Sequence, residues 1–307
     1  MNFRILSLSI LVFLAACNNS DVGEGTFEPE PVPVVVPSVW PKDNVVFGQN
    51  VFDGGPEGGL ELAAVDETPA VKHHSTTISG KTVEYTATAG HLIAYAPAEP
   101  ASPATTDAQA SIFYMAYTRD DLPKENRPVT FFFNGGPGSA SIWLHLGSWA
   151  PKRLKTGEPF IPESAYTEKP ATFPWIDNEE TLLDKSDLVF VDPVGTGYSQ
   201  AIKPHQNQDF WGMEVDARVD LDFIRRYINK NNRQLSPKYL YGESYGGIRI
   251  PIMANLLEAG DTKSYEPDPS GKKATVLSGV ILNSPILDYD TNCGQGGDIS
   301  CRGFLRL

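Results

Sequence analysis

Residues 239–246 read Tyr-Leu-Tyr-Gly-Glu-Ser-Tyr-Gly, and a helix-like stretch follows at 248–258. A serine on such a sharp strand-to-helix turn adopts a strained backbone, and glycines flank it because a Cβ there would collide with the turn. Ser244 then projects above a sheet with a helix N-terminus behind it, which stabilises negative charge. The pattern favours Ser244 as a hydrolase nucleophile, and the alternative is a glycine-rich turn without chemistry.

Two further glycine-rich turns follow apolar runs upstream of Ser244. Asn-Gly-Gly-Pro-Gly at 134–138 comes directly after the run 129–133. Bare backbone N–H groups at a strand end suit an oxyanion hole, whereas a phosphate-binding loop would need a Gly-Lys-Ser/Thr that this segment lacks. Asp-Pro-Val-Gly-Thr-Gly-Tyr-Ser at 192–199 follows the run 188–191, and alone it is weak evidence for a dinucleotide loop.

The apolar pattern around these turns predicts an α/β fold. Short, nearly continuous apolar runs fit parallel strands that are covered on both faces. A hairpin around Gly80 and a third strand precede them, with a loop at 96–110. We therefore predict a mostly parallel sheet with an antiparallel hairpin at its N-terminal edge. The predicted strands are, in chain order, 75–78, 82–86, 111–117, 129–133, 188–191, 239–241 and 276–282.

One long amphipathic helix is predicted between the second and third of the parallel strands. Its apolar residues recur every four positions, and its charged residues take other faces. A strand, a helix and a strand at this spacing form a βαβ crossover. The apolar set is Trp211, Val215, Val219, Phe223 and Tyr227, and the charged set is Glu214, Asp216, Arg218, Arg225 and Lys230.

Composition narrows the classes of function. The 307 residues include 38 acidic and 25 basic side chains, and the formal net charge of −13 counts against nucleic-acid binding, which needs cations to displace counterions. A hydrophobic share of 41% supports a packed core and excludes a disordered chain. The sequence has no His-Glu-x-x-His or other metal-binding spacing, so we expect no metal and no cofactor.

The N-terminus predicts export and lipid anchoring. Residues 1–16 combine a positive start, a short apolar run and small residues before Cys17, as a signal peptide does. This resembles a bacterial lipobox, in which Cys17 becomes lipidated, and an ordinary secretory signal is the alternative. Residues 17–45 are proline-rich and predict an extended tether, which leaves 46–307 as the folded domain. Because Asn18 is not an aspartate, we expect the outer membrane, facing the periplasm or the cell surface.

Taken together, the three glycine motifs resemble those of the serine carboxypeptidase family. The resemblance covers about residues 73–307 and is greatest for the bacterial branch. It implies an α/β-hydrolase fold and a serine-type carboxypeptidase that acts on peptides through an acyl-enzyme. It further implies Ser244 as the nucleophile, and the backbone N–H groups of Gly136 and Tyr245 as the oxyanion hole.

The resemblance also implies a site for the C-terminal carboxylate of a peptide, formed by Asn134, Gly135 and Glu243. Eukaryotic members pair the Glu before the nucleophile with another Glu, in a Glu-Leu-Gly-Pro stretch, and two such carboxyls share a proton best in acid. The matching stretch here is His-Leu-Gly-Ser at 145–148. We hypothesise that His145 faces Glu243 and moves the working pH towards neutrality. The alternative is a helix-surface or core histidine.

The order of residues leaves the catalytic triad incomplete. An α/β-hydrolase takes its triad in the order Ser, acid, His, and Asp288 and Asp290 lie too early for the acid of this family. The resemblance therefore implies a C-terminally truncated member, incomplete in its sheet, whose Asp and His lie beyond Leu307. The five histidines, all of which precede Ser244, are His73, His74, His91, His145 and His205.

The sequence leaves two questions open, which concern the state of a cysteine pair and the function of the whole chain. Cys293 and Cys301 are predicted to form a disulfide at the start of the family's inserted cap, because an exported protein can oxidise them. A metal pair is disfavoured there, since no histidine or third cysteine lies nearby. For the whole chain, an esterase or acyltransferase on the same scaffold is one alternative to a carboxypeptidase. An inactive tethered binding lipoprotein is the other.

Overall fold

The computed structural model describes residues 52–95, 107–124, 127–155 and 175–287. The predicted signal peptide, the tether, Cys17 and the pair Cys293 and Cys301 lie outside these residues, as do Asp288 and Asp290. The strands are β1 (Ala70–Ile78), β2 (Lys81–Tyr95), β3 (Ala108–Arg119), β4 (Val129–Phe133), β5 (Lys152–Leu154), β6 (Trp175–Asp177), β7 (Asp187–Val191), β8 (Gln200–Ala201), β9 (Lys238–Glu243) and β10 (Gly279–Asn283). The helices are α1 (Ile142–Leu144), α2 (Met213–Lys230) and α3 (Gly246–Gly260), and a π-helical turn (His145–Trp149) continues α1.

Within the described residues, eight strands form one mixed sheet. Its order is β1-β2-β3-β7-β4-β9-β10, and β8 pairs with β3. Strands β7, β4, β9 and β10 are parallel to their neighbours in that half of the sheet. Strands β1, β2 and β3 are antiparallel and form the other half. The predicted α/β class and the antiparallel N-terminal edge are confirmed.

Strand β4 lies at the centre of the core because its two faces pack against different layers. All five of its residues are buried. Phe131 faces the helices, and its ring centroid lies 5.5 Å from that of Tyr227 in α2. Phe132 points to the opposite side and stacks on Phe190 of β7 at 4.6 Å. Each large apolar side chain buried in this way stabilises the fold by about 1.5–3 kcal/mol.

Helix α2 confirms most of the predicted apolar stripe. Val219, Phe223 and Tyr227 are buried against the sheet. Trp211 lies before the helix begins and is 49% exposed, and Val215 in the first turn is 42% exposed, so the buried stripe is shorter than predicted. Asp216 was predicted on a face away from the stripe, yet only 6% of its surface is exposed. The reason is an ion pair with Arg249 of α3, which the apolar periodicity does not reveal.

The last described strand corrects one expectation. The run 276–282 was predicted to be covered on both faces, but β10 is outermost in the described sheet and its side chains are partly open. Ile281 is 40% exposed and Leu282 is 37% exposed. The predicted loop at 96–110 also ends earlier than expected, because Ala108 already begins β3.

Candidate active site

Ser244 lies on a tight turn between β9 and α3. Its φ of 56° is in the left-handed region, which confirms the strained backbone predicted for this serine. The backbone carbonyl of Ser244 accepts hydrogen bonds from the N–H groups of Gly247 and Ile286, both at 2.8 Å, and its own N–H donates to the carbonyl of Asn283 at 3.1 Å. The segment after β10 therefore holds the turn in place, while Ser244 stays partly exposed.

The glycine before the turn is required by close packing. A Cβ on Gly242 would lie 2.5 Å from the carbonyl oxygen of Gly246 and 2.5 Å from a side-chain carbon of Ile250. Both distances are shorter than carbon contacts in proteins allow. Helix α3 can therefore start directly above β9 only because residue 242 has no side chain.

The glycine-rich loop after β4 contacts the turn of Ser244 directly. A Cβ on Gly135 would lie 2.6 Å from the Cβ of Ser244 and 2.7 Å from the backbone nitrogen of Tyr245. The contact follows from the sheet order, since β4 and β9 are parallel neighbours and both loops leave their carboxyl ends. Gly136, the next residue, has a φ of 114° that disfavours any residue with a side chain.

The structure thus brings together the two segments that carry the predicted oxyanion donors. Gly136 belongs to the loop after β4, and Tyr245 immediately follows Ser244 at the start of α3. The helix N-terminus adds a partial positive charge on that side. That the two N–H groups bind one oxyanion stays a prediction.

The predicted carboxylate-binding residues lie at the same edge of the sheet. Asn134 accepts a hydrogen bond from the N–H of Leu144 through Oδ1 at 3.1 Å, which leaves the amino group of the amide as its donor. Glu243 Oε2 accepts a hydrogen bond from the Nδ2 of Asn283 at 3.3 Å. Their role towards a substrate carboxylate, like that of Gly135, stays a prediction.

The structure does not pair His145 with Glu243 within the described residues. The Nε2 of His145 lies 2.7 Å from the hydroxyl of Tyr117, and its ring packs 4.7 Å from that of Phe190. Burial among these aromatic rings lowers the pKa of His145 to about 3. The hypothesised contact is therefore corrected: His145 contacts Tyr117 and Phe190 instead, where its neutral ring packs among aromatic side chains. Its part in binding a substrate carboxylate stays a prediction.

Each of the five histidines has a partner other than Ser244. Four of the histidines form a hydrogen bond with their partner, and His74 stacks on an aromatic ring. The source of the base for Ser244 stays a prediction. The partners are Thr86 for His73, Tyr85 for His74, Tyr198 for His91, Tyr117 for His145 and Asp107 for His205.

The motif at 192–199 braces the glycine-rich loop. Asp192 Oδ1 accepts a hydrogen bond from the N–H of Ser141 at 2.9 Å, and Oδ2 accepts one from the N–H of Tyr198 at 3.2 Å. Burial raises the pKa of Asp192 to about 6.

A pocket of about 220 Å³ lies between the three motifs. Its lining residues are Pro137, Gly138, Pro193, Val194, Gly195, Thr196, Phe210, Trp211, Asp216 and Tyr245.

Sequence reasoning missed a buried ionic cluster beneath the site. Arg249 of α3 is 0% exposed and pairs with Asp216 and Asp220 of α2. The signal was present in the sequence, because the two aspartates are four residues apart in a helix and therefore share one face. An arginine in the helix that follows the nucleophile could have been matched with them.

The described residues form neither a metal cluster nor a membrane-spanning helix. They contain no group of three or more His, Cys, Asp or Glu side chains that could hold a metal ion. No helix in the described part of the chain is long and apolar enough to cross a membrane.

Comparisons with known proteins agree on one family. A sequence model described as serine carboxypeptidase matches residues 80–299. Serine carboxypeptidase-like 2 of Arabidopsis thaliana is 26% identical over 185 residues, which are 59% of this chain and 37% of that protein. Carboxypeptidase Y homolog A of Sordaria macrospora is 28% identical over 195 residues, 61% of this chain and 30% of that protein. The chain therefore spans about a third of the length of these relatives.

Solved structures also include a carboxypeptidase. The crystal structure of Kex1(delta)p, a prohormone-processing carboxypeptidase from Saccharomyces cerevisiae, aligns with a TM-score of 0.46 and 20% identity. The alignment covers 68% of this chain and 40% of that one.

Proposed function

The chain belongs to the serine carboxypeptidase family, and from this we propose that Ser244 is the nucleophile of a carboxypeptidase that releases C-terminal residues from peptides. The observation that carries the proposal is the close packing of Gly135 against Ser244. It sets a loop of backbone N–H donors beside a serine on a strained turn, and acyl transfer needs both at one point.

In the proposed reaction, the Oγ of Ser244 attacks the carbonyl carbon of the last peptide bond. The carbonyl oxygen becomes an oxyanion, to which the N–H groups of Gly136 and Tyr245 donate. Cleavage of the C–N bond then releases the C-terminal residue as an amine and leaves an acyl-enzyme on Ser244. Water hydrolyses this ester in a second step and restores the free hydroxyl.

The base that takes the proton of Ser244 is, in this proposal, a histidine that follows Ser244 and its acid in chain order. The contacts described above join each of the five histidines to a group other than Ser244. The order of triad residues in α/β-hydrolases supports this assignment.

Selection of the C-terminal residue would come from the carboxylate of the peptide. In this proposal Asn134 and Gly135 supply neutral donors from the loop that contacts Ser244, and Glu243, which immediately precedes Ser244, is hydrogen-bonded to Asn283. A site whose polar groups pair with a terminal carboxylate leaves them unsatisfied when an internal peptide bond or an amide binds. This physical argument favours an exopeptidase.

Blocked dipeptides test the proposal. The full-length protein, which must include the histidine base of the proposal, is incubated with one N-blocked dipeptide as the free acid and as the C-terminal amide, and the released amino acid is quantified. We expect release from the free acid only, and none from the variant Ser244→Ala. Equal turnover of acid and amide would contradict a carboxypeptidase and favour an esterase or acyltransferase. Binding of the acid without any turnover would favour a binding lipoprotein.

We also propose that the protein is exported and anchored by a lipid on Cys17, as the first residues of the sequence predict. A bacterial expression host fed an alkyne-labelled fatty acid should incorporate the label into the full chain. The variant Cys17→Ala should not be labelled. Equal labelling of both proteins would contradict the anchor.

A further inference from the structure

We propose that Arg249 is a positioning residue, which holds the glycine-rich loop at the distance from Ser244 that an oxyanion hole needs. The inference rests on the proposed function and adds a residue that the three motifs do not contain. It depends on three observations: what Arg249 contacts, how it is anchored, and how its charge is balanced.

Arg249 contacts both segments that carry the proposed oxyanion donors. Its Nη1 donates a hydrogen bond to the backbone carbonyl of Asn134 at 3.0 Å, two residues before Gly136. Its guanidinium carbon lies 5.2 Å from the ring centroid of Tyr245 and 5.8 Å from that of Phe133. One buried side chain therefore spans the end of β4 and the residue that follows Ser244.

The other side of Arg249 is anchored rigidly to α2. Nε donates to Asp216 Oδ2 at 2.7 Å, and Nη2 donates to Asp216 Oδ1 at 2.9 Å. This two-point geometry fixes the plane of the guanidinium group as well as its position. The carbonyl of Asn134 is thereby tied to the first turn of α2 through a single planar group.

Opposite charges meet in this carboxyl-end cluster (Arg249, Asp216 and Asp220), where one buried arginine lies beside two carboxyl groups. Burial raises the pKa of Asp220 well above its ordinary value, and the charges of Asp216 and Asp192 add to the effect. The positive charge of Arg249 lowers the pKa of Asp220 but does not outweigh burial, and Arg249 itself is bonded at two points to the carboxylate of Asp216. Burial opposes the charge of Arg249, but the two aspartates outweigh it, and the pKa of the arginine is raised.

Lysine cannot reproduce this bridge. An ammonium group on a flexible stem can pair with Asp216, but it cannot bond both carboxylate oxygens and the carbonyl of Asn134 in one plane. The variant Arg249→Lys therefore separates the charge of residue 249 from its geometry. Because a displacement of about 1 Å at a reacting centre can cost about 100-fold in rate, the geometry is what the site depends on.

A matched control exists in the same fold. The amino-end cluster consists of Arg127, Asp187 and Arg233, and Arg233 is 2% exposed with a hydrogen bond of 2.6 Å to Asp187. Its residues lie at or before the amino ends of β4, β7 and β9. The variant Arg233→Met removes a buried arginine from an ion pair, as Arg249→Met does, but at the opposite end of the strands.

Hydrogen–deuterium exchange of the full chain tests the proposal without requiring activity. The reporters are the N–H groups of Asn134, Ser139 and Leu144, which are hydrogen-bonded within the loop. We expect their exchange to rise by about ten-fold or more in Arg249→Met and Arg249→Lys, and to stay unchanged in Arg233→Met. In Arg233→Met, the faster sites should be the N–H groups of Val129 and Asp187, at the amino ends of their strands.

Two results would overturn the proposal. One is unchanged exchange of the loop in Arg249→Lys, because the charge alone would then be enough. The other is the same rise of loop exchange in Arg233→Met, because any buried arginine would then serve. If Arg249→Met does not fold, Arg249→Lys decides. A wild-type chain that cleaves no blocked dipeptide would contradict the proposed function, while the exchange result would still decide the role of Arg249.

Discussion

The two buried arginine–aspartate clusters lie at opposite ends of the same parallel strands and differ in how they are satisfied. In the amino-end cluster, Asp187 receives hydrogen bonds of 2.6 Å from both Arg127 and Arg233. No buried side-chain N or O atom of these three residues is without a partner among the described residues. In the carboxyl-end cluster, neither carboxyl oxygen of Asp220 has a hydrogen-bond partner among the described residues, although Oδ2 lies 3.3 Å from Nε of Arg249.

This difference in hydrogen bonding indicates that the two clusters have different roles. The amino-end cluster joins three strands, and its buried side-chain N and O atoms are all hydrogen-bonded. A role in stability is therefore enough to explain it. A cluster with an unsatisfied buried acid is costly, and such groups concentrate at functional sites. The carboxyl-end cluster also bonds the backbone of Asn134, next to the loop that contacts Ser244. We infer that one cluster stabilises the sheet and the other positions the site.

The largest expected effect is on stability, from Asp187→Asn. Two buried guanidinium groups would lose their charged partner, and the free energy of unfolding should fall by about 3–5 kcal/mol. Urea denaturation measures this. The exposed pair Lys152–Asp177 offers the control, because Asp177→Asn should change the free energy by less than about 1 kcal/mol. Equal losses in the two variants would contradict a special role for the amino-end cluster.

The second prediction concerns how the stability of the fold depends on pH through the buried carboxyl group of Asp192. Its pKa is raised by burial from 3.8 to about 6, so the folded protein holds a proton that the unfolded chain loses. This contribution is fully present below pH 4 and is lost as the pH rises through 6, on the order of 3 kcal/mol in all. Denaturation midpoints at pH 4 and pH 7 should therefore converge in Asp192→Asn. A slope equal to that of the wild type would contradict the shift.

Gly135→Ala breaks the site and leaves both clusters in place. The added Cβ would meet Ser244 and Tyr245 at distances no real contact shows, so the loop must move. Acylation of Ser244 by an activated ester should slow by about 100-fold, which corresponds to about 2.7 kcal/mol. The control is Gly138→Ala, where an added Cβ meets nothing within 4 Å. Similar rates in the two alanine variants would show that the loop does not serve Ser244.

The smallest effect is expected for His145→Gln. Burial lowers the pKa of His145 to about 3, so below pH 6.5 the unfolded chain takes up a proton that the folded protein does not. Stability should therefore fall on acidification, and Gln, which can still form a hydrogen bond with Tyr117, should remove about 2 kcal/mol of that loss at pH 5. Thermal unfolding at pH 5 and pH 7.5 measures the difference. An equal loss in both proteins would mean that His145 titrates normally.

Features of the fold and the site that depend on neighbouring residues could be predicted from the sequence, whereas contacts between distant residues could not. The run 129–133 matches β4 and the strained turn at Ser244 was predicted, because an apolar run and a glycine-flanked serine are local patterns. The ion pair of Arg249 with Asp216 was not predicted, because it joins residues 33 positions apart. The contact of His145 with Tyr117 was not predicted for a similar reason, because it joins residues 28 positions apart.

The central claim is that Ser244 is a nucleophile served by the glycine-rich loop, and covalent labelling tests it most directly. The full chain is treated with a fluorophosphonate, and the adduct is located by peptide mass spectrometry. The account predicts a single adduct on Ser244, absent from Ser244→Ala and strongly slowed in Gly135→Ala. An adduct on a different serine, or equal labelling of Gly135→Ala and wild type, would contradict it.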